Sequence, residues 1–179
     1  NETGVVQPLR DIASLARPRG IPLHTDAVQG AGKIPIDVNA LGVDLLSISG
    51  HKFYGPKGIG ALYVRRGTAI EAIYTGGGQE CGLRPGTENI PGIVGLGEAA
   101  RISKRDLARE MEHIGSLRDR LERSVLELVL DIAVAGDLAP RVPNTSAMVV
   151  NRVEGEAVTL NLGMRGLAIS SGSACASGA

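Results

Sequence analysis

Apolar and polar positions alternate in short runs along the first part of the chain, and two of these runs end in polar clusters. The run 21–26 ends at Asp26, and the run 43–48 leads into Ser49-Gly50-His51-Lys52. Short apolar runs bounded by turn residues are typical of buried strands. A helix-length segment separates them, which indicates a parallel α/β sheet whose strands end at one edge. We therefore expect Asp26 and Lys52 to lie at the same edge.

Three further elements of this part of the chain follow from spacing and from turn residues. Apolar residues recur at helical spacing over 9–16, after Pro8, and Pro18 ends this helix. The run 60–64 predicts a strand, and the glycine-rich stretch 74–86 predicts a loop.

A long amphipathic helix is predicted from about residue 93 to about residue 130. Its apolar residues follow one helical face among charged neighbours, which core packing explains better than a partner-binding surface. We expect a break in this helix near Ser103 and a domain boundary near its middle.

The pattern changes beyond this helix. Apolar runs at 132–134, 147–150 and 167–169 predict strands, and the segment 156–162 predicts a helix. This order indicates a small α+β subdomain that follows the α/β part of the chain.

Composition fits an α/β domain but does not indicate a function. The 179 residues are 43% hydrophobic and 21% charged, with 19 basic and 19 acidic residues. This balance gives no reason to expect nucleic acid or an anionic membrane surface as a partner. No apolar run approaches the ~18 residues of a spanning helix. Two cysteines are too few for a disulfide framework or a zinc site, so we expect a cytoplasmic protein.

Lys52 is the first candidate chemical group. Most lysines are solvated surface groups, but Lys52 follows a buried strand and stands in a glycine-rich turn with Ser49 and His51. A lysine in such a turn can be desolvated and can condense with an aldehyde as a Schiff base. Asp26 at the same edge supplies an acid that can keep a pyridine nitrogen protonated, so that the ring acts as an electron sink. This pair predicts a pyridoxal 5'-phosphate site.

Cys175 is the second candidate. It lies among the small residues 170–178, which offer no apolar packing for a buried thiol. We therefore expect an exposed, mobile loop that carries a reactive thiol.

Six short segments, in order along nearly the whole chain, resemble the cysteine desulfurases of the NifS and IscS type, within the class-V aminotransferases. They are NETGVVQP at 1–8, HTDAVQ at 24–29, SGHKFYGPKG at 49–58, GGGQE at 76–80, RPGTEN at 84–89 and SSGSAC at 170–175.

This resemblance implies a fold-type-I enzyme that removes sulfur from L-cysteine, with Lys52 and Cys175 as catalytic residues. Cys175 would become a persulfide and pass its sulfur to an acceptor protein for iron–sulfur cluster assembly or thiolation. Residues 1–105 would belong to the large cofactor-binding domain, and residues 106–179 to a connector helix and the small domain. The resemblance also implies a homodimer, and it implies that the chain is the middle and later part of a longer polypeptide.

The resemblance further implies a set of cofactor-binding residues: Asn1, Asp26, Gln29, Ser49, His51, Lys52 and Thr87. Gln29 would hydrogen-bond the ring hydroxyl, with Asn1 near that hydroxyl and the substrate carboxylate. Ser49 and His51 would bind the phosphate, which Thr87 would reach from the other subunit.

The chain departs from the family pattern at Cys81, where arginine is usual, and we do not expect Cys81 to accept sulfur. The resemblance gives no catalytic role to Lys33, Lys57, His24 or His113. Three alternatives remain at this point: a selenocysteine lyase, another class-V lyase, and an inactive scaffold that only dimerises or binds a sulfur carrier.

Overall fold

The computed structural model describes residues 1–172. The helices are α1 (Leu9–Ala16), α2 (Val38–Leu41), α3 (Ile90–Leu128) and α4 (Gly155–Met164), and the strands are β1 (His24–Asp26), β2 (Leu45–Ser49), β3 (Gly60–Val64), β4 (Ile132–Val134) and β5 (Met148–Val150). Short 3-10 turns lie at Arg17–Arg19, Gly50–Phe53 and Glu80–Gly82.

Contacts within the chain define two compact units, which we describe separately. The first unit is Gln7–Ala108, and the second contains Asn1–Val6 and the chain from Arg109 onward. The division falls inside α3.

The sheet of the first unit has the strand order β1-β2-β3. The pair β1 and β2 is parallel, with Asp26 opposite Ser47, which confirms the predicted parallel arrangement. Strand β3 runs antiparallel to β2 and places Gly60 opposite Ser49. Both β1 and β2 therefore end at the same edge of the sheet.

Alternation along β2 gives the sheet two different faces. Ser47 and Ser49 point to one face, and Leu46 and Ile48 point to the other, because successive side chains of a strand alternate. Ile48 packs against a buried cluster of Ala31, Phe53, Leu96 and Ala99. The apolar face is thus covered by the start of α3 and by the turn after β1, and the polar face carries the serines.

An arginine fixes the opposite edge of the sheet, where β2 begins. Arg65 donates to the carbonyl oxygens of Val43 and Val38 at 2.7 and 3.1 Å and lies 3.3 Å from an Asp44 carboxylate oxygen. The other Asp44 oxygen accepts the Leu23 N–H group at 2.9 Å. These contacts join α2 and all three strands, so they help to set the register that brings Asp26 opposite Ser47.

The connection between β1 and β2 lacks the helix-length segment that the sequence predicted. Residues 27–34 form successive turns, in which Gly32 has a φ of +73° and which Pro35 follows. Asp37 then caps α2, its carboxylate accepting two backbone N–H groups of the helix. A residue in the left-handed region cannot continue an α-helix, so only the single turn of α2 forms.

Helix α3 is continuous through Ser103, so the predicted break is wrong. The helix also begins earlier than its apolar spacing predicted, because Asn89 accepts the N–H group of Gly92 at 3.1 Å and Pro91 fits the first turn. A serine inside a helix costs about 0.5 kcal/mol relative to alanine, which is too little to break a long helix. Among the described residues, no helix has the length and apolar content required to cross a bilayer.

In the second unit, β4 and β5 form the predicted strands as an antiparallel pair, and α4 is the predicted helix. Residues 167–169, which were predicted to form a third strand, are described in the structure but form no strand. Gly166 has a φ of +82°, and the Leu167 N–H group bonds to the Leu162 carbonyl at 2.9 Å. These features close the end of α4, so the Leu167 amide is used by the helix rather than by a sheet.

Candidate functional site

The turn that carries Lys52 closes on itself directly after β2. The Gly50 N–H group bonds to the Ile59 carbonyl, and the Gly55 N–H group bonds to the Gly50 carbonyl, both at 2.9 Å. Phe53 is only 4% exposed and anchors the turn in the apolar cluster. Lys52 itself is exposed, so the expected desolvation of this amine is not seen. The turn directs Phe53 inward and leaves Lys52 at the surface beside it.

The turn is closed so tightly that it requires glycine where its backbone segments meet. A Cβ atom on Gly60 would lie 2.5 Å from the Ile48 carbonyl oxygen, and one on Gly55 would lie 2.9 Å from the Gly50 carbonyl oxygen. Both neighbours are backbone atoms, which cannot rotate away. The glycines therefore determine where the Lys52 turn begins and ends.

Replacing Gly60 by alanine is expected to destabilise the protein by about 1–3 kcal/mol, because the new methyl group overlaps the backbone of β2. Gly97, inside α3, is the matched control, since a Cβ atom there meets nothing within 4 Å. Gly97→Ala should leave stability unchanged or raise it by about 0.5–1 kcal/mol. Urea unfolding of both variants measures the difference, and an equal response of the two would contradict the proposed overlap.

Asp26 is the last residue of β1, and its side chain is held in a defined orientation. Carboxylate oxygen Oδ1 accepts the Val28 N–H group at 2.8 Å. Asp26 pairs with Ser47, so the alternation of strand residues places it on the same face as Ser47 and Ser49. Lys52 lies in the turn that follows Ser49. The backbone therefore places Asp26 and the turn that carries Lys52 at the same edge of the parallel pair.

Ser49, His51 and Lys57 line an open depression beside this edge, together with Gly58, Ile59 and Gly60. A hydroxyl, an imidazole and an ammonium group are all hydrogen-bond donors to anions. No carboxylate belongs to this lining. The depression therefore offers donor groups that could bind a phosphate, and Ser49 and His51, which were predicted to do so, are among them.

Gln29 lies in the turn after β1 and is held by Lys33. The Lys33 ammonium nitrogen Nζ donates to Gln29 Oε1 at 3.0 Å, and both side chains are partly buried. Burial lowers the pKa of Lys33, and the nearby positive charge of Lys52 lowers it further. The Lys33 and Lys52 ammonium groups thus repel each other, which shows that the turn after β1 and the turn after β2 lie close together.

The other predicted site residues, Thr87, Asn1 and Cys175, are not found at this edge among the described residues of the first unit. Thr87 is exposed in the loop before α3, outside the lining of the depression. Asn1 belongs to the second unit, where its side chain donates to Glu2 at 3.1 Å. Cys81 is exposed in a 3-10 turn, and Cys175 lies outside the described residues.

The residues at this edge fit pyridoxal phosphate by their chemistry. Asp26 offers a carboxylate for a ring nitrogen, Gln29 an amide for a ring hydroxyl and Lys52 an amine for an aldehyde. The donors of the depression suit a phosphate group. Each polar group of the cofactor therefore has a residue of matching chemistry at the edge.

Two lysines in this region received no role from the sequence. Lys57 lines the depression, and Lys33 holds Gln29. The signal for Lys33 was present, because residues four apart can hydrogen-bond in a helical turn. It could be recognised only once residues 27–34 were known to be turns.

The model of the family described as Aminotransferase class-V matches residues 1–179. A cysteine desulfurase of Gluconacetobacter diazotrophicus is 48% identical over 178 residues, which are 99% of this chain and 44% of that protein. The chain thus spans less than half the length of this curated relative.

Two solved structures are similar over most of the chain. A NifS-like protein from Rickettsia africae has a TM-score of 0.91 at 32% identity, with 96% of this chain and 48% of that chain covered. The structure described as SspA in complex with cysteine has a TM-score of 0.72 at 39% identity, with 97% of this chain and 47% of that chain covered.

Proposed function

Because this chain belongs to the class-V aminotransferase family, we propose that the full-length protein is a pyridoxal phosphate-dependent cysteine desulfurase. The observation that carries the proposal is the shared edge of β1 and β2, where Asp26 and Lys52 lie. The similar protein of G. diazotrophicus is named a cysteine desulfurase, and SspA was solved with cysteine. Both names support L-cysteine as the substrate.

In this proposal each residue of the edge has one task. Bound pyridoxal phosphate supplies an electron sink for the substrate carbons. Asp26, oriented by the Val28 N–H group, keeps a proton at the ring nitrogen. Lys52 would hold the cofactor at its aldehyde group and would move protons between the substrate carbons and the cofactor. Ser49 and His51 bind the phosphate in the depression that they line.

Cys175 is proposed as the sulfur acceptor. Its thiolate attacks the sulfur of L-cysteine, the carbon–sulfur bond breaks, and a sulfur–sulfur bond forms. The electron pair of the broken bond stays with the substrate Cβ, which takes up a proton. L-cysteine and a thiol thereby become L-alanine and a persulfide, so the carbon is reduced and the transferred sulfur oxidised without another reactant.

The proposal extends to the assembly of the protein. We propose residues 1–105 as part of the large domain and residues 106–179 as the connector helix and part of the small domain, although contacts in the described structure group Asn1–Val6 with the second unit. Thr87 is contributed by the second subunit of a cytoplasmic homodimer, and Asn1 is a further cofactor-binding residue of the proposal. The persulfide passes its sulfur to an acceptor protein for iron–sulfur cluster assembly or thiolation.

A cysteine exchange tests the proposed function. In the full-length protein, Cys175→Ala should lower the formation of alanine from L-cysteine by at least about a hundredfold, because the attacking nucleophile is lost. Cys81→Ala is the matched control and should stay within about twofold of the unchanged protein, as expected of a surface substitution. Alanine release from L-cysteine and from L-selenocysteine is measured side by side.

A Cys175→Ala protein that keeps full activity on L-cysteine would contradict the proposal. Preference for selenocysteine in the unchanged protein would indicate the lyase alternative instead. A protein that binds pyridoxal phosphate nowhere would support a scaffold.

A further inference from the structure

Lys33 lies where it can set the orientation of the Gln29 side-chain carboxamide. The two residues are four positions apart in the turn after β1, in which Ala31 and Ile34 donate to backbone carbonyls four residues back at 2.8 and 3.0 Å. Within these turns the Lys33 ammonium lies 3.0 Å from Gln29 Oε1. The local backbone turn therefore supports this contact.

The turn that carries Lys33 is fixed against the turn that carries Lys52. Gly32 packs so closely on Phe53 that a Cβ atom on the glycine would lie 2.6 Å from the Phe53 Cβ. Phe53 directly follows Lys52 in the chain. Lys33 and Lys52 therefore belong to two turns in direct contact, which accounts for the electrostatic influence of Lys52 on Lys33.

A lysine ammonium determines which way a neighbouring carboxamide faces. It has three donors and no acceptor, so it can bond only to the oxygen of the glutamine side chain. The Gln29 NH2 group is then left to donate elsewhere. Without the ammonium the carboxamide could rotate and present its oxygen, which a phenolate-like oxygen of a ligand would repel.

We propose that Lys33 is a positioning residue, which fixes the Gln29 carboxamide so that its NH2 group donates to the ring hydroxyl of the cofactor. The inference rests on the proposed function, because that function places the ring hydroxyl at Gln29. Lys33 itself does not touch the reacting atoms in this arrangement.

The test compares two ligands in the full-length protein. Pyridoxal 5'-phosphate has the ring hydroxyl, and its 3-deoxy analogue lacks it. Lys33→Met should weaken binding of pyridoxal phosphate by about five- to tenfold, the value of one ordinary hydrogen bond. Binding of the 3-deoxy analogue should change by less than about twofold in this variant, since it makes no such bond. Calorimetric titration of the cofactor-free protein gives both dissociation constants.

Two further variants make the result specific. Lys33→Arg keeps a donor and should restore part of the preference for the hydroxylated ligand. Lys104→Met removes an exposed lysine of α3 and should leave both constants unchanged. Thermal melting of each variant shows whether it is folded.

A merely structural role would weaken the two ligands equally, and that result would overturn the inference. No change for either ligand in Lys33→Met would also overturn it. If the unchanged protein binds neither ligand, the proposed function itself fails, so the two failures can be told apart.

Discussion

Replacement of Lys52 by arginine in the full-length protein is expected to abolish covalent attachment of pyridoxal phosphate and to lower activity by at least about 10²–10⁴-fold. Arginine keeps the positive charge but stays protonated and cannot condense with an aldehyde. Borohydride reduction followed by peptide mapping should label Lys52 in the unchanged protein and no residue in the variant.

The neighbouring lysines make this a demanding test. Lys33 is close enough to Lys52 for its pKa to be affected, and Lys57 lines the adjacent depression. A label on either of these amines in the unchanged protein would contradict the assignment of Lys52. Lys104→Arg, at an exposed position of α3, controls for the substitution and should be labelled at Lys52 as usual.

The edge that carries Asp26 and Lys52 was predictable because local patterns determine it. Each residue follows a short apolar run, and the parallel pairing of β1 with β2 puts both ends together. The phosphate-binding roles of Ser49 and His51, in contrast, were implied by the family resemblance and stay predictions. What the patterns could not show was that Phe53, rather than Lys52, turns into the core.

The wrong predictions of secondary structure arose where tertiary contacts or the capping of a helix end determine the local structure. The helix expected between β1 and β2 is replaced by turns around Gly32, whose φ is positive and which packs on Phe53. The strand expected at 167–169 competes with the end of α4, which uses the Leu167 amide. Neither contact leaves a periodic signal in the sequence.

A buried ion pair in the second unit was also invisible to sequence patterns. Glu122 of α3 is one of many charged residues on that helix, yet it is 8% exposed. Both of its carboxylate oxygens accept from Arg141, at 2.7 and 2.8 Å. Arg141 also pairs with Val5 through the backbone, so the ion pair secures the place where the segment Asn1–Val6 joins this unit.

Removing one partner of this pair should have the largest effect on stability among the variants considered. Arg141→Met leaves the Glu122 carboxylate buried without its counter-ion, which costs about 3–5 kcal/mol. The double variant with Glu122→Leu and Arg141→Met removes both charges and should recover most of that loss. Glu98→Gln, which breaks an exposed pair with Arg101, is the control and should leave the unfolding transition nearly unchanged.

The same pair predicts a defined pH dependence. Hydrogen bonding to Arg141 lowers the pKa of Glu122, outweighing the opposing effect of burial. Because the folded state then binds this proton less readily than the unfolded state, the stabilisation is complete above the ordinary glutamate pKa of about 4.3 and is lost as the pH falls through the lower folded value. The free energy of unfolding should therefore differ most between the unchanged protein and Glu122→Gln near neutral pH, and the two should converge in acid. A difference that stays constant from neutral to acidic pH would show that the ion pair contributes through packing and not through its charge.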